Sequence, residues 1–381
     1  MNPKVIVFIS AYLPGTKIGG PAVSIRNLVL NLKSYVDFSI VTLDRDLGDK
    51  YTYEGIFSNT WVIIHGTPIF YMSKVLFKFV YIIRVIHKAK PDVIYLNSFF
   101  DSTFTIPILL MRKLGLIQKH RVIIAPRGEL FSEALNFSKI KKFFYLKLSS
   151  IFGIYNDVFF HATDDREKSF ISERLNVDLD KIKMAMIMSD VVETAPRFPV
   201  IREKSVLKVV FLSRISKDKN LLFTFQVLEK ILYEVQFDIY GPIEDSYIWE
   251  KCLKLIPKLP QNISVTYMGV VPRNEVKNCL YQYDLFFLPT FAENYGHAIA
   301  ESLMVGTPVL ISDNTPWKNL DVDGLGWDIS LNKLDEFVTK INSLYALSLK
   351  DRETKRGKII EVTKLRLMDP KILNDNISLF H

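Results

Sequence analysis

At 381 residues the chain exceeds what one hydrophobic core usually organises, so two domains are expected. Apolar residues make up 49% and charged residues 24%, which excludes a disordered chain, and the net charge of +8 suits phosphate-rich partners. Two cysteines, Cys252 and Cys279, sit in apolar surroundings and exclude a disulfide framework or a cysteine-based zinc site.

The run Val5 to Ser10 reads as a buried strand and lacks the cleavage site and length of a secretory signal. A loop holding Gly15, Gly19 and Gly20 follows, and helical spacing runs from about Pro21 to Lys33. Phe38 to Leu43, Trp61 to Ile64, Asp92 to Leu96, Arg121 to Ala125 and Asp157 to Phe160 are short apolar runs separated by helical stretches. That rhythm predicts parallel strands covered on both faces. The aromatic and basic surplus concentrates in Val75 to Arg84 and in the spacing Phe137, Ile140, Phe144, Leu148 and Ile151, with Lys139, Lys141 and Lys142 mostly off that stripe. Two readings stand side by side: a core-packed helix with a solvated basic face, or a helix lying on anionic lipid. No stretch of about 18 residues is apolar enough to span a bilayer, so a cytoplasmic protein with peripheral membrane contact at most is expected.

Thr194 to Ser205 breaks the rhythm with two prolines and several charges. This predicts a first domain over 1–195, a linker over 196–206, a second domain over 207–365 and a terminal segment, 366–381, packing back on the first domain. The second series has strands at Leu207 to Leu212, Val235 to Tyr240, Ile263 to Tyr267, Asp284 to Leu288 and Pro308 to Ile311, and a helix from about Asn220 to Tyr233. The fold class is therefore α/β, with two Rossmann-like doubly wound domains.

Chemistry concentrates at strand-to-helix loops. In Leu288 to Pro308 a buried strand enters a polar loop and a helix begins near Gly296. Amides of Tyr295, Gly296 and His297 would face an anion there, aided by the helix dipole. Glu293 precedes the helix, close to whatever hangs beyond the phosphates, and Glu301 in its second turn suits two neighbouring hydroxyls, as on a ribose. The bland alternative is one loop carboxylate and one solvated helix carboxylate. The turn Leu212 to Leu221 brings Arg214, a planar fork, and Lys219, a point charge, to another helix start, where they would neutralise a diphosphate. The Gly19-Gly20 loop lets backbone approach a ligand, but it is neither a dinucleotide fingerprint nor a P-loop.

This order of motifs resembles the family-4 retaining glycosyltransferases of the GT-B fold, over nearly the whole chain. The resemblance implies two domains facing a central cleft and a nucleotide-sugar donor, with UDP as the family-weighted base. It implies that Glu293 contacts donor-sugar hydroxyls, Glu301 the ribose, and Arg214 and Lys219 the diphosphate, with Gly19, Gly20, Asn294, Tyr295, Gly296 and His297 completing donor binding. It implies no metal and no cofactor, a glycan or lipid-linked acceptor, and surface-polysaccharide assembly as the setting. Arg127 stands where many members carry a catalytic His, and the usual Pro-Asn-Gly turn before the linker is replaced by Met188-Ser189-Asp190. His161 and Glu129 are candidates for the acceptor side, His161 also reading as a core or capping residue.

Three Asp-x-Asp triplets, at Asp44-Arg45-Asp46, Asp178-Leu179-Asp180 and Asp321-Val322-Asp323, match the metal-binding pattern of the other glycosyltransferase fold equally well, which weakens each. A sugar-nucleotide epimerase or hydrolase is the enzymatic alternative. A nucleic-acid-binding protein is disfavoured because the basic residues are dispersed among 41 acidic ones.

Overall fold

The structure, a computed structural model, describes residues 1–15, 17, 19–74, 78–131, 139–190 and 206–381. They form two units, Met1–Asp190 with Asp369–His381, and Val191–Met368. The linker expected over 196–206 lies outside the described residues except for its last position, as do Val75 to Phe77 and Phe137.

The first unit holds β1 (Lys4–Phe8), β2 (Asp37–Leu43), β3 (Thr60–Ile64), β4 (Thr67–Met72), β5 (Val93–Asn97), β6 (Arg121–Ala125), β7 (Val158–Ala162) and β8 (Ile182–Met184). They make one sheet in the order β3-β4-β2-β1-β5-β6-β7-β8. Alternation along each strand feeds two cores. Ile6, Phe8, Ile94, Leu96, Val122 and Ile124 face one side, and Val5, Val7, Val93, Tyr95, Ile123 and Ala125 the other. The run at 61–64 departs from the expected parallel, doubly covered strand. It pairs antiparallel with β4 at the sheet edge, with Ile63 exposed. His65 and Gly66, both at positive φ (50° and 82°), make the two-residue turn that such a hairpin favours.

Helix Pro370–Ser378 crosses back onto this unit and packs on helix Gly20–Leu32. Ile372, Leu379 and Phe380 enter the core, with the Phe380 ring 5.5 Å from Phe38 and 5.8 Å from Tyr95. Arg121 Nη1 donates to the His381 carbonyl at 2.6 Å. The return begins at Asp369.

The second unit holds β9 (Leu207–Leu212), β10 (Val235–Tyr240), β11 (Ile263–Gly269), β12 (Leu285–Leu288), β13 (Val309–Ser312) and β14 (Gly326–Ile329), all parallel, in the order β11-β10-β9-β12-β13-β14. The helix expected from Asn220 to Tyr233 is shorter, Leu221–Leu228. The Asn262 side-chain amide donates to the carbonyls of Ile231 and Tyr233 at 3.0 and 2.7 Å, and so holds the return to β10 as a turn. The chain leaves β9 toward β10 on one side and later places β12 on the other. The strand order therefore reverses between β9 and β12, where open α/β sheets bind ligands beyond their carboxyl ends.

Helix Lys139–Ile151 meets the core through Tyr145 and Leu146 rather than through the expected apolar stripe. Phe144, Leu148 and Ile151 of helix Lys139–Ile151 are all exposed. Among the described residues no helix is long and apolar enough to cross a membrane.

Candidate active site

Two loops leave the sheet at the switch point, 213–220 after β9 and 289–296 after β12. Asn220, at φ 55°, turns the first loop into its helix and donates from Nδ2 to the Pro289 carbonyl at 3.0 Å. The Asp218 carbonyl accepts from Phe291 N at 2.8 Å and from Thr290 Oγ1 at 2.9 Å. These bonds make a single platform from segments about seventy residues apart.

Lys219 stands at its centre, buried, with Nζ 2.9 Å from Glu293 Oε2 and 3.2 Å from Asp218 Oδ2. Burial by itself lowers the Lys219 pKa, but the two carboxylates outweigh it and the net shift is upward. Asp218 moves the opposite way: burial raises it, and Lys219, the Ser216 hydroxyl and Arg214 together bring it below the ordinary value. Lys219 is therefore a fixed cation and Asp218 a fixed anion at neutral pH, with the Glu293 carboxyl against the same ammonium. Arg214 lies at its rim, half-exposed, paired with Glu244 and 3.9 Å from Asp218. It reaches that place because Gly241, at φ 134°, lets the exit of β10 press against Ser213, whose carbonyl would lie 1.9 Å from any added Cβ.

Gly296 caps helix His297–Met304 at φ 81°. A Cβ there would meet Ile299 Cδ1 at 2.6 Å and Glu293 Cγ at 3.2 Å, so glycine is what lets the helix start beside Glu293. The positive end of the helix thus lies beside Glu293. Tyr295 is buried, its carbonyl accepting from Trp317 Nε1 at 2.6 Å, and its ring stands 4.9 Å from that of half-buried His297. Asn294 is half-buried beside them. Glu293 N donates to the Asn314 carbonyl at 3.2 Å, which ties the loop to the exit of β13. Glu301 is buried in the same helix and paired with Arg273, which follows β11. Arg273 was not singled out in the sequence, because nothing local links it to Glu301.

In the first unit, Gly19 caps helix Gly20–Leu32 at φ 65°, with open space around its Cβ position. Arg127, at φ 56°, bridges the exits of β5 and β6: Nε donates to Asn97 Oδ1 and Nη2 to the Tyr95 hydroxyl, both at 2.9 Å. The Tyr95 hydroxyl lies 2.6 Å from His161 Nδ1, and His161 Nε2 lies 2.8 Å from the Ala185 carbonyl. A carbonyl only accepts, so Nε2 carries the proton and Nδ1 accepts from Tyr95. Burial, then the Arg127 charge, pushes the His161 pKa down to about 3, which keeps the ring neutral. His161 is thus a bonded core histidine. Glu129 accepts from Ser98 Oγ at 2.6 Å and from the Phe99 and Phe100 amides at 2.8 and 2.9 Å; it pins one loop to another. Glu167, buried and also pushed up by burial, receives Gly128 N, Thr163 N and Thr163 Oγ1.

The first Asp-x-Asp triplet is taken up internally. Asp44 binds Arg45 Nε at 2.8 Å and the Ser58 hydroxyl, while Asp46 accepts from the amides of Lys17 and Leu47. Among the described residues no group of three or more His, Cys, Asp or Glu is placed to hold a metal ion.

The two doubly wound units define a GT-B glycosyltransferase fold. The whole chain resembles sucrose-phosphate synthase from Thermosynechococcus elongatus, with a TM-score of 0.73, 12% identity and 100% of this chain against 98% of that one. It likewise resembles Anabaena Alr3699/HepE in complex with UDP and glucose, with a TM-score of 0.70, 13% identity and coverage of 99% and 98%. Residues 194–361 match the family model of glycosyl transferases group 1. An "Uncharacterized 41.2 kDa protein in cps region" of Klebsiella pneumoniae is 24% identical over 321 residues, 82% of this chain and 83% of the relative.

Proposed function

We propose that the chain is a retaining hexosyltransferase of the family-4 type that takes a UDP-sugar and passes the sugar to a glycan or lipid-linked acceptor in cytoplasmic steps of surface-polysaccharide assembly. The observation that carries this reading is the Lys219–Glu293 pair, which locks two loops at the switch point of the second sheet beside a helix start. A diphosphate fits that place chemically. Lys219 is already held and needs no reorganisation, and Arg214 has only to leave an exposed partner, Glu244, which costs little.

In this scheme Glu293 orients the sugar hydroxyls and Glu301 the ribose, while Tyr295, His297, Asn294 and Gly296 line the phosphate end. The bond from the anomeric carbon to the diphosphate oxygen breaks on the face where the acceptor oxygen attacks. The acceptor's proton passes to the departing diphosphate, so configuration is retained. Growing negative charge falls on Arg214, Lys219 and the helix N-terminus, and no metal is assigned a role. HepE with UDP and glucose supports the choice of donor base, and the Klebsiella relative's place in a cps region supports the setting.

The test is a thermal-shift panel of UDP, GDP, ADP and their sugars, repeated on Glu301→Ala. UDP should raise the wild-type melting temperature by mass action and do so less in the variant. A chain that no nucleotide stabilises overturns the proposal. Product analysis with and without acceptor separates transfer from hydrolysis or epimerisation.

A further inference from the structure

Helices Lys78–Ala89, Thr105–Lys113 and Lys139–Ile151 contribute to the same core face of the first sheet, through Ile82 and Val85, Ile108 and Met111, and Tyr145 and Leu146 respectively. Their outer sides share two properties. The first is apolar exposure, greatest on the third helix. Phe143, Phe144, Leu148 and Ile151, with Phe152 just beyond, are 51% to 68% exposed around the exposed Lys147. Leu114 and Leu116, after the second helix, add to it. The second is charge: none of the three helices contains an Asp or Glu, although the chain carries 41.

Apolar patches of this kind on a water-facing helix mark a surface that is covered in use. The spacing of Phe144, Leu148, Ile151 and Phe152 is that of one helix face, which the sheet core does not bury. We propose that the outer face of helix Lys139–Ile151 is a peripheral docking surface for an anionic phospholipid bilayer. The phenylalanines and Leu148 enter the boundary between headgroups and acyl chains, and the exposed Lys147 stays among the phosphates. A second copy of this chain fits less well, because a two-fold pairing would set these basic helices against their own like. The inference rests on the first unit alone and is independent of the UDP-sugar reading.

The full chain is mixed with phosphatidylcholine vesicles and with vesicles containing phosphatidylglycerol, and bound protein is measured by flotation. Wild type should bind only the anionic vesicles, and salt should weaken binding. Phe144→Ser with Leu148→Ser should reduce partitioning at least about tenfold, and Lys147→Glu about fivefold or more. Circular dichroism and the melting temperature check that each variant is folded, and Lys147→Glu carries the test alone if the double variant is not. No binding by wild type, or binding unchanged in folded variants, overturns the proposal. So does a dimer in solution that the double variant dissolves.

Discussion

Lys219 Nζ and Glu293 Oε2 meet at 2.9 Å across 74 positions of sequence, and the bond joins the exits of two strands that flank the reversal of the second sheet. The pair holds the loops together and, in the proposed scheme, presents charge to the donor, two jobs that mutation can separate. Glu293→Ala should keep nucleotide binding within a few-fold yet lower transfer by about a hundredfold or more, read as kcat against the UDP thermal shift. Lys219→Ala removes a buried cation from two partly buried carboxylates and should cost roughly 2 kcal/mol in chemical denaturation. The raised Lys219 supplies stability that is complete below the ordinary lysine pKa and lost as pH climbs through its folded value. The lowered Asp218 supplies stability that is present above the ordinary carboxylate range and lost as pH falls through its own. The cluster therefore supports the second unit throughout the neutral range.

Arg273 is paired with Glu301, the carboxylate proposed to hold the ribose. Arg273→Ala should expose that carboxylate and shift the KM for donor by several-fold with kcat nearly unchanged. A change in kcat alone would mean that Arg273 acts on the reacting centre instead.

Two glycines with positive φ make a matched pair. Gly19→Ala meets open space and is opposed only by its backbone conformation (φ 65°, ψ −131°), about 2 kcal/mol, whereas Gly241→Ala also drives a Cβ into the Ser213 carbonyl. Urea titration should find the second variant more destabilised than the first, by roughly 3 kcal/mol or more against wild type, or unable to fold.

His161 gives the first unit an acid limit. Its folded pKa, near 3, lies below the unfolded value, so the unfolded chain binds a proton first as pH falls. Stability is complete above about 6.5 and declines below it by up to about 1.4 kcal/mol per pH unit until the folded value is reached. His161→Gln should be less stable at neutral pH and show a flatter acid limb in pH-dependent melting.

The central strands are legible in the sequence because each is buried on both faces and so reads as an unbroken apolar run. β8 is three residues long and β14 opens on Gly326, so neither carries such a run, and in β4 the run Ile69 to Met72 follows directly on Thr67-Pro68. The loops at the switch point are legible through their residue types, whereas the partners that restrain them are not. Tyr95 sits in Val93–Asn97 like any core residue, and only the fold sets its hydroxyl against His161, 66 positions on. Arg273 and Glu301 find each other for the same reason.

The return of Asp369–His381 to the first sheet has a practical meaning for dissecting the protein. A polypeptide ending at Asp190 would lack the aromatic plug that Phe380 makes between Phe38 and Tyr95, and would leave the Arg121 guanidinium without the His381 carbonyl. Severing the gene into halves thus yields an incomplete amino-terminal piece, whereas supplying the last thirteen or so residues as a separate peptide should rescue it.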